Sequence, residues 1–144
     1  MNKSKYPDGY LPKIAYHMLQ GNKEKVQYFV QRQNKMRKVT QQAVEAFESG
    51  RSFKSGNTQV RVLAQNGGGS LVLLELHGNA IARHESWNGR TFITSAGWET
   101  RTTKERLNGL DGVSIFQDRG VWYLNGEAWD GKWIDPQTGK RPTT

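Results

Sequence analysis

A chain of 144 residues, 35% of them hydrophobic, fits one domain that buries about two-thirds of its unfolded surface around a small core. It has no cysteine, which excludes a disulfide framework, thiol catalysis and thiolate metal sites, and no apolar run approaches the roughly 20 residues of a membrane span. The net charge of +8 is segregated: residues 1–65 hold 12 Lys/Arg against 4 Asp/Glu, and residues 66–144 hold 9 of each.

A segregated basic excess points to an anionic partner, with a solvated helix that happens to carry lysines as the plain alternative. The start M-N-K-S-K-Y-P lacks the apolar segment of a secretory signal. The expectation is a soluble protein of the cytoplasm with no membrane contact.

Residues 1–12 read as a turn-rich arm because of Pro7, Asp8-Gly9 and Pro12. Leu11, Ile14, Ala15, Met18 and Leu19 follow helical spacing, and Gly21-Asn22 closes that helix. The longest helix is predicted from Lys23 to about Glu48. Val26, Phe29, Val30, Met36, Val39, Ala43 and Phe47 lie near one face, and the weak helix formers Val39-Thr40 mark a place for a break. Its other faces carry Lys23, Lys25, Arg32, Lys35, Arg37 and Lys38, whose mutual repulsion a phosphate-bearing partner would relieve.

Residues 1–50 therefore read as a basic helical unit, 51–57 as a linker, 58–134 as a β-rich domain and 135–144 as a loose tail. Strands are predicted at Thr58–Ala64, Leu71–Leu76, Ala80–Glu85 and Thr91–Thr94, joined by turns at 65–70, His77-Gly78-Asn79 and Asn88-Gly89. Thr102 and Glu105 have capping-box spacing for a short helix over Lys104–Leu107, which Asn108-Gly109 ends through a left-handed glycine. Trp98 and Leu107 are expected in the core beside it. Val113, Ile115, Val121 and Tyr123 alternate along a last hairpin whose loop is Asp118-Arg119-Gly120. The fold class is α+β: a helical unit followed by an antiparallel meander of about six strands with one short helix.

Three pieces carry a resemblance: H-G-N-A-I-A at 77–82, G-W-E-T-R-T-T-K-E-R-L-N-G-L at 97–110 and W-Y-L-N-G-E-A-W-D-G-K-W at 122–133. They resemble a small protein family of tailed bacteriophages, in which a G-W-x-T-x-T-T-x-x-R-L-N core precedes a W-Y-L-N-G hairpin. The resemblance covers roughly residues 57–134 and leaves out the basic helix. It implies a phage origin and expression in a bacterial cytoplasm, and it assigns no activity to any position.

No catalytic constellation stands out, so the chain is read as a non-enzyme without cofactor. His77 falls at a turn and His84 and Glu85 on opposite sides of a strand, which is poor ground for a metal site. The glycine-rich Asn66–Ser70 lacks the lysine and following helix of a phosphate loop.

The chemistry that remains is cationic and aromatic. Lys54, Arg61, Arg101 and Lys104 extend the basic track of Lys23, Lys25, Arg32, Lys35, Arg37 and Lys38. Arg106 pairs with Glu105 or Asp111 on the plainer reading. Trp87, Trp122, Tyr123, Trp129 and Trp133 are candidates to stack on bases, with packing of the sheet or of a dimer seam as the alternative for each.

The function expected is non-catalytic binding of nucleic acid, DNA in preference to RNA, single-stranded or sequence-tolerant, in phage replication or host takeover. The alternative is a phage inhibitor of a host defence protein or a sponge for an anionic host signalling nucleotide. A homodimer through the β-unit, along Val121–Leu124, is also expected.

Overall fold

The computed structural model describes residues 37–142. The arm, the first helix and the cations Lys23, Lys25, Arg32 and Lys35 lie outside the described residues. The fold is α+β, with two helices and two antiparallel sheets among those residues.

Helix α1, Lys38–Ser49, turns Thr40, Ala43, Val44, Ala46 and Phe47 inward at helical spacing. Arg37 before it is extended (φ −62°, ψ 148°), so the continuous helix expected from Lys23 to Glu48 is interrupted there. Ser49-Gly50 stops α1 as its sequence predicts: Gly50 is left-handed at φ 70°, and its N–H donates to the carbonyls of Ala46 and Phe47.

The stretch read as a linker is part of the sheet. Strand β1, Phe53–Ser55, pairs antiparallel with β2, Thr58–Ala64, so 51–57 holds a strand and a turn. Strands β3 (Ser70–Leu76), β4 (Asn79–Glu85) and β5 (Arg90–Ile93) follow in spatial order β1-β2-β3-β4-β5, a plain meander. The His77-Gly78 turn has positive φ at both residues (53° and 80°), which suits the twist of paired strands. Helix α1 packs on β1, β2 and β3. Phe47 and Ala43 meet Val60, Leu74 and Leu76 there in one core.

Helix α2, Arg101–Asn108, leads to a second sheet of three strands, β6 (Ile115–Asp118), β7 (Val121–Leu124) and β8 (Glu127–Ala128). The strands are thus more numerous than expected and divided between two sheets. The expected capping box does not form. Thr100 is the N-cap, its Oγ1 accepting from the Thr103 N–H at 3.2 Å, and Thr102 lies inside the helix. Gly109 is right-handed (φ −74°), not left-handed. Its role is space, because a Cβ there would stand 2.6 Å from Val44 Cγ2 and 3.1 Å from Thr40 Cγ2. The glycine lets α2 end directly against α1.

Leu107 is fully buried, as expected, but Trp98 is 58% exposed and does not join the core. Strand β7 settles a face that alternation left open. Trp122 and Leu124 are inside, while Val121 and Tyr123 look outward. Trp122 packs beside Trp129, ring centroids 6.2 Å apart, among Leu107, Val113 and Ile115. The last residues follow a defined path: Ile134 bridges Ile93 of β5, and Asp135 Oδ1 accepts from the backbone N–H groups of Gln137 and Thr138.

Candidate nucleic-acid interface

The five-stranded sheet has two faces, and register assigns each residue to one of them. Val60, Leu74, Ala82 and Ile93 form a row on the face that α1 covers. Arg61, Leu73, Arg83 and Phe92 form the corresponding row on the other face, where no helix among the described residues packs. Lys54 joins this second face beside Gln59, and Arg90 beside Glu85.

A bulge puts Arg83 there. Glu75 pairs with Ala80 and Leu74 with Ala82, so Ile81 is an extra residue in β4. Without it, the two-residue turn would carry Arg83 round to the α1 side, since a slip of one residue exchanges the faces. Ile81 and Ala82, neighbours in sequence, are accordingly both buried.

On this face the acids lie low and the cations stand out. Arg61 Nη1 is 3.2 Å from Glu75 Oε2, with side chains 47% and 10% exposed. Arg83 Nη2 is 2.9 Å from Glu85 Oε2, with side chains 31% and 12% exposed. Solvent therefore meets mostly guanidinium, and each carboxylate fixes the direction of an arginine. The Arg83 guanidinium also lies 5.2 Å from the Phe92 ring centroid and 5.6 Å from that of Trp133, cation–π contacts that hold it flat. Its Nε is buried without an acceptor among the described residues. Lys54 and Arg90 are exposed and make no ion pair among the described residues.

This face brings together three residues singled out from the sequence, Lys54, Arg61 and Trp133, and adds two that sequence reasoning missed, Arg83 and Arg90. The other candidates lie elsewhere. Arg37 is tied to Glu105, and Lys38 opens α1, exposed. Arg101 opens α2, exposed. Lys104 reaches Gln117 Oε1 at 3.3 Å and lies 5.9 Å from the Trp122 ring centroid. Trp122 and Trp129, 2% and 5% exposed, are core side chains and leave the stacking set. Tyr123 stands on the outer face of the small sheet, stacked on Phe116. Trp87 is 52% exposed in the β4–β5 loop, packed over Gly69, and Trp98 is an exposed aromatic that the sequence reading had placed inside.

A second polar cluster joins α1 to α2. Glu105 accepts from Arg37 Nε at 2.9 Å and from Thr40 Oγ1 at 3.1 Å, and it is in contact with Arg106 Nη1. Arg106, 5% exposed, also donates to Thr40 Oγ1 at 2.6 Å and to Thr58 Oγ1 at 3.1 Å. Of the two pairings weighed for Arg106, the structure forms that with Glu105. Burial disfavours the charged Glu105 carboxyl, but hydrogen bonds from Arg37 and Thr40 and the charges of Arg106 and Arg37 outweigh it and hold its pKa below the usual value. This cluster fastens α1 to α2 and to β2.

The recognisable strings are scaffold in the same sense. Asn108 accepts from the Ile115 N–H at 2.6 Å and donates to its carbonyl at 2.9 Å, occupying the free edge of β6. Asn125, left-handed at φ 50°, accepts from the Ser114 N–H and donates to the carbonyls of Gly112 and Pro136. R-L-N and W-Y-L-N-G thus spell core, edge cover and loop tie.

A protein-family model, described as Kyanoviridae Gp96 protein, matches residues 36–139. The chain belongs to the Kyanoviridae Gp96 family. This is a family of phage proteins, and the matched region takes in α1 as well as both sheets, beyond the span of the sequence resemblance. It covers nearly all of the described residues. No curated protein and no solved structure matches the chain. Residues 36–139 carry 12 basic against 11 acidic side chains and residues 1–35 carry 7 against 2, so most of the excess charge lies outside the family region. Among the described residues no helix is long and apolar enough to cross a membrane, and no three His, Asp or Glu gather as a metal site.

Proposed function

We propose that this phage protein binds nucleic acid without catalysis, taking single-stranded or sequence-tolerant DNA in the bacterial cytoplasm during replication or host takeover. The observation that carries the reading is the face of the five-stranded sheet away from α1, where Arg61 and Arg83 stand over recessed carboxylates beside Trp133. Phosphates neutralise the cations and release counterions, and a base stacks on the partly exposed Trp133. The cations of residues 1–35 add to the same electrostatic pull.

Two variants separate these contributions. Lys54→Gln with Arg90→Gln removes exposed charges that hold no described partner. It should weaken single-strand binding and flatten the log–log salt slope by about 1.4, at about 0.7 per lost contact. Trp133→Leu should weaken binding by about 1–3 kcal/mol at an unchanged slope. Fluorescence anisotropy of a labelled oligonucleotide measures both. Wild-type affinity in both variants would count against this face.

The near-neutral charge of the family region favours a second reading, in which that region engages a host protein and residues 1–35 supply the electrostatic part. That reading predicts little loss of nucleic-acid affinity when the sheet face is changed.

A further inference from the structure

We propose that the outer face of β6 and β7 docks a second copy of this chain. The inference stands apart from the nucleic-acid reading, since it concerns the other sheet. Phe116 pairs across the strands with Tyr123, and Asp118 with Val121, so all four share the face turned away from the core. Phe116 is 37% exposed and Val121 43% exposed. The Phe116 and Tyr123 rings are stacked, centroids 5.1 Å apart and planes within 10°, which sets them as one rigid apolar block. The inward residues of β7, Trp122 and Leu124, are in the core, and on the outward side Phe116 and Val121 remain exposed.

The route of docking is the face and not the edge. Asn108 holds both the N–H and the carbonyl of Ile115, so a strand added beside β6 would lose those groups as partners. The occupant follows from charge. A polyanion would meet Asp118 on this face, whereas Asp118 and Arg119 side by side at its rim supply both signs. An isologous pairing in which each Arg119 meets the Asp118 of the other copy would satisfy both signs, the self-complementary arrangement of such a dimer.

The test is light scattering of the full chain at tens of micromolar. Wild type should give a mass near twice the 16.4 kDa of one chain. Asp118→Arg and Arg119→Asp should each run as monomers, because each leaves one sign on both copies, and their equimolar mixture should recover the dimer mass. Val121→Lys gives an independent loss at a site outside the turn, with the thermal midpoint confirming that it is folded. A monomeric wild type overturns the proposal, as does a dimer that all three variants leave intact or a mixture that stays monomeric.

Discussion

Glu105 sits where three side chains converge, Arg37, Thr40 and Arg106, and its ionisation shows how single side chains hold the two helices together. Its folded pKa is lowered, so the free carboxyl in the unfolded chain binds protons at a higher pH than the folded one. Its contribution to stability is complete above the unfolded pKa and is lost as pH falls through the lower folded one. Glu105→Gln should therefore reduce the urea midpoint at neutral pH, and the gap from wild type should narrow in acid. A gap that stays constant from neutral to acid pH would contradict this account of the cluster. Arg106 explains why the cluster is kept together. Burial lowers its pKa and Glu105 opposes that, so a buried guanidinium stays satisfied by Glu105, Thr40 and Thr58.

Helix α2 has only 8 residues and would be marginal alone, so its place depends on packing. Leu107→Ala should cost about 2–5 kcal/mol in chemical denaturation, as for other large-to-small changes at filled sites. Trp98→Ala, on the exposed approach to the same helix, should change stability by no more than about 0.5 kcal/mol. Equal effects of the two would show that α2 is not seated as described. Much of this level was legible in the sequence. Alternation and turn pairs located β2, β3, β4 and β5 within a residue or two, and Ser49-Gly50 marked the end of α1. Three features were not, for physical reasons. In V-W-Y-L both alternating sets are apolar, so periodicity finds the strand and leaves the choice of buried face to packing. Thr100, Thr102 and Thr103 all offer cap oxygens, and the strong partners Arg37 and Thr40, distant in sequence, drew Glu105 away from the box. Arg83 reached the open face through a bulge that no local pattern announces, so this half of the candidate site needed three dimensions.

For the molecule as a whole, charge is unevenly divided along the chain. Residues 1–35 carry 7 basic side chains against 2 acidic ones, while the family region is close to neutral. Within that region the cations are placed, not abundant: Lys54, Arg61, Arg83 and Arg90 share one sheet face with Trp133, and the acids among them lie beneath. The central claim is that this face binds a single-stranded polyanion, and counterion release distinguishes that from binding a protein or a small nucleotide. The most direct measurement is the affinity of the full chain for a labelled single-stranded oligonucleotide across a range of salt concentrations. The account predicts binding that weakens steeply, with a log–log slope of about −3 or beyond if the four face cations each meet a phosphate at about 0.7 apiece. Absence of binding at low salt, or an affinity indifferent to salt, would contradict it.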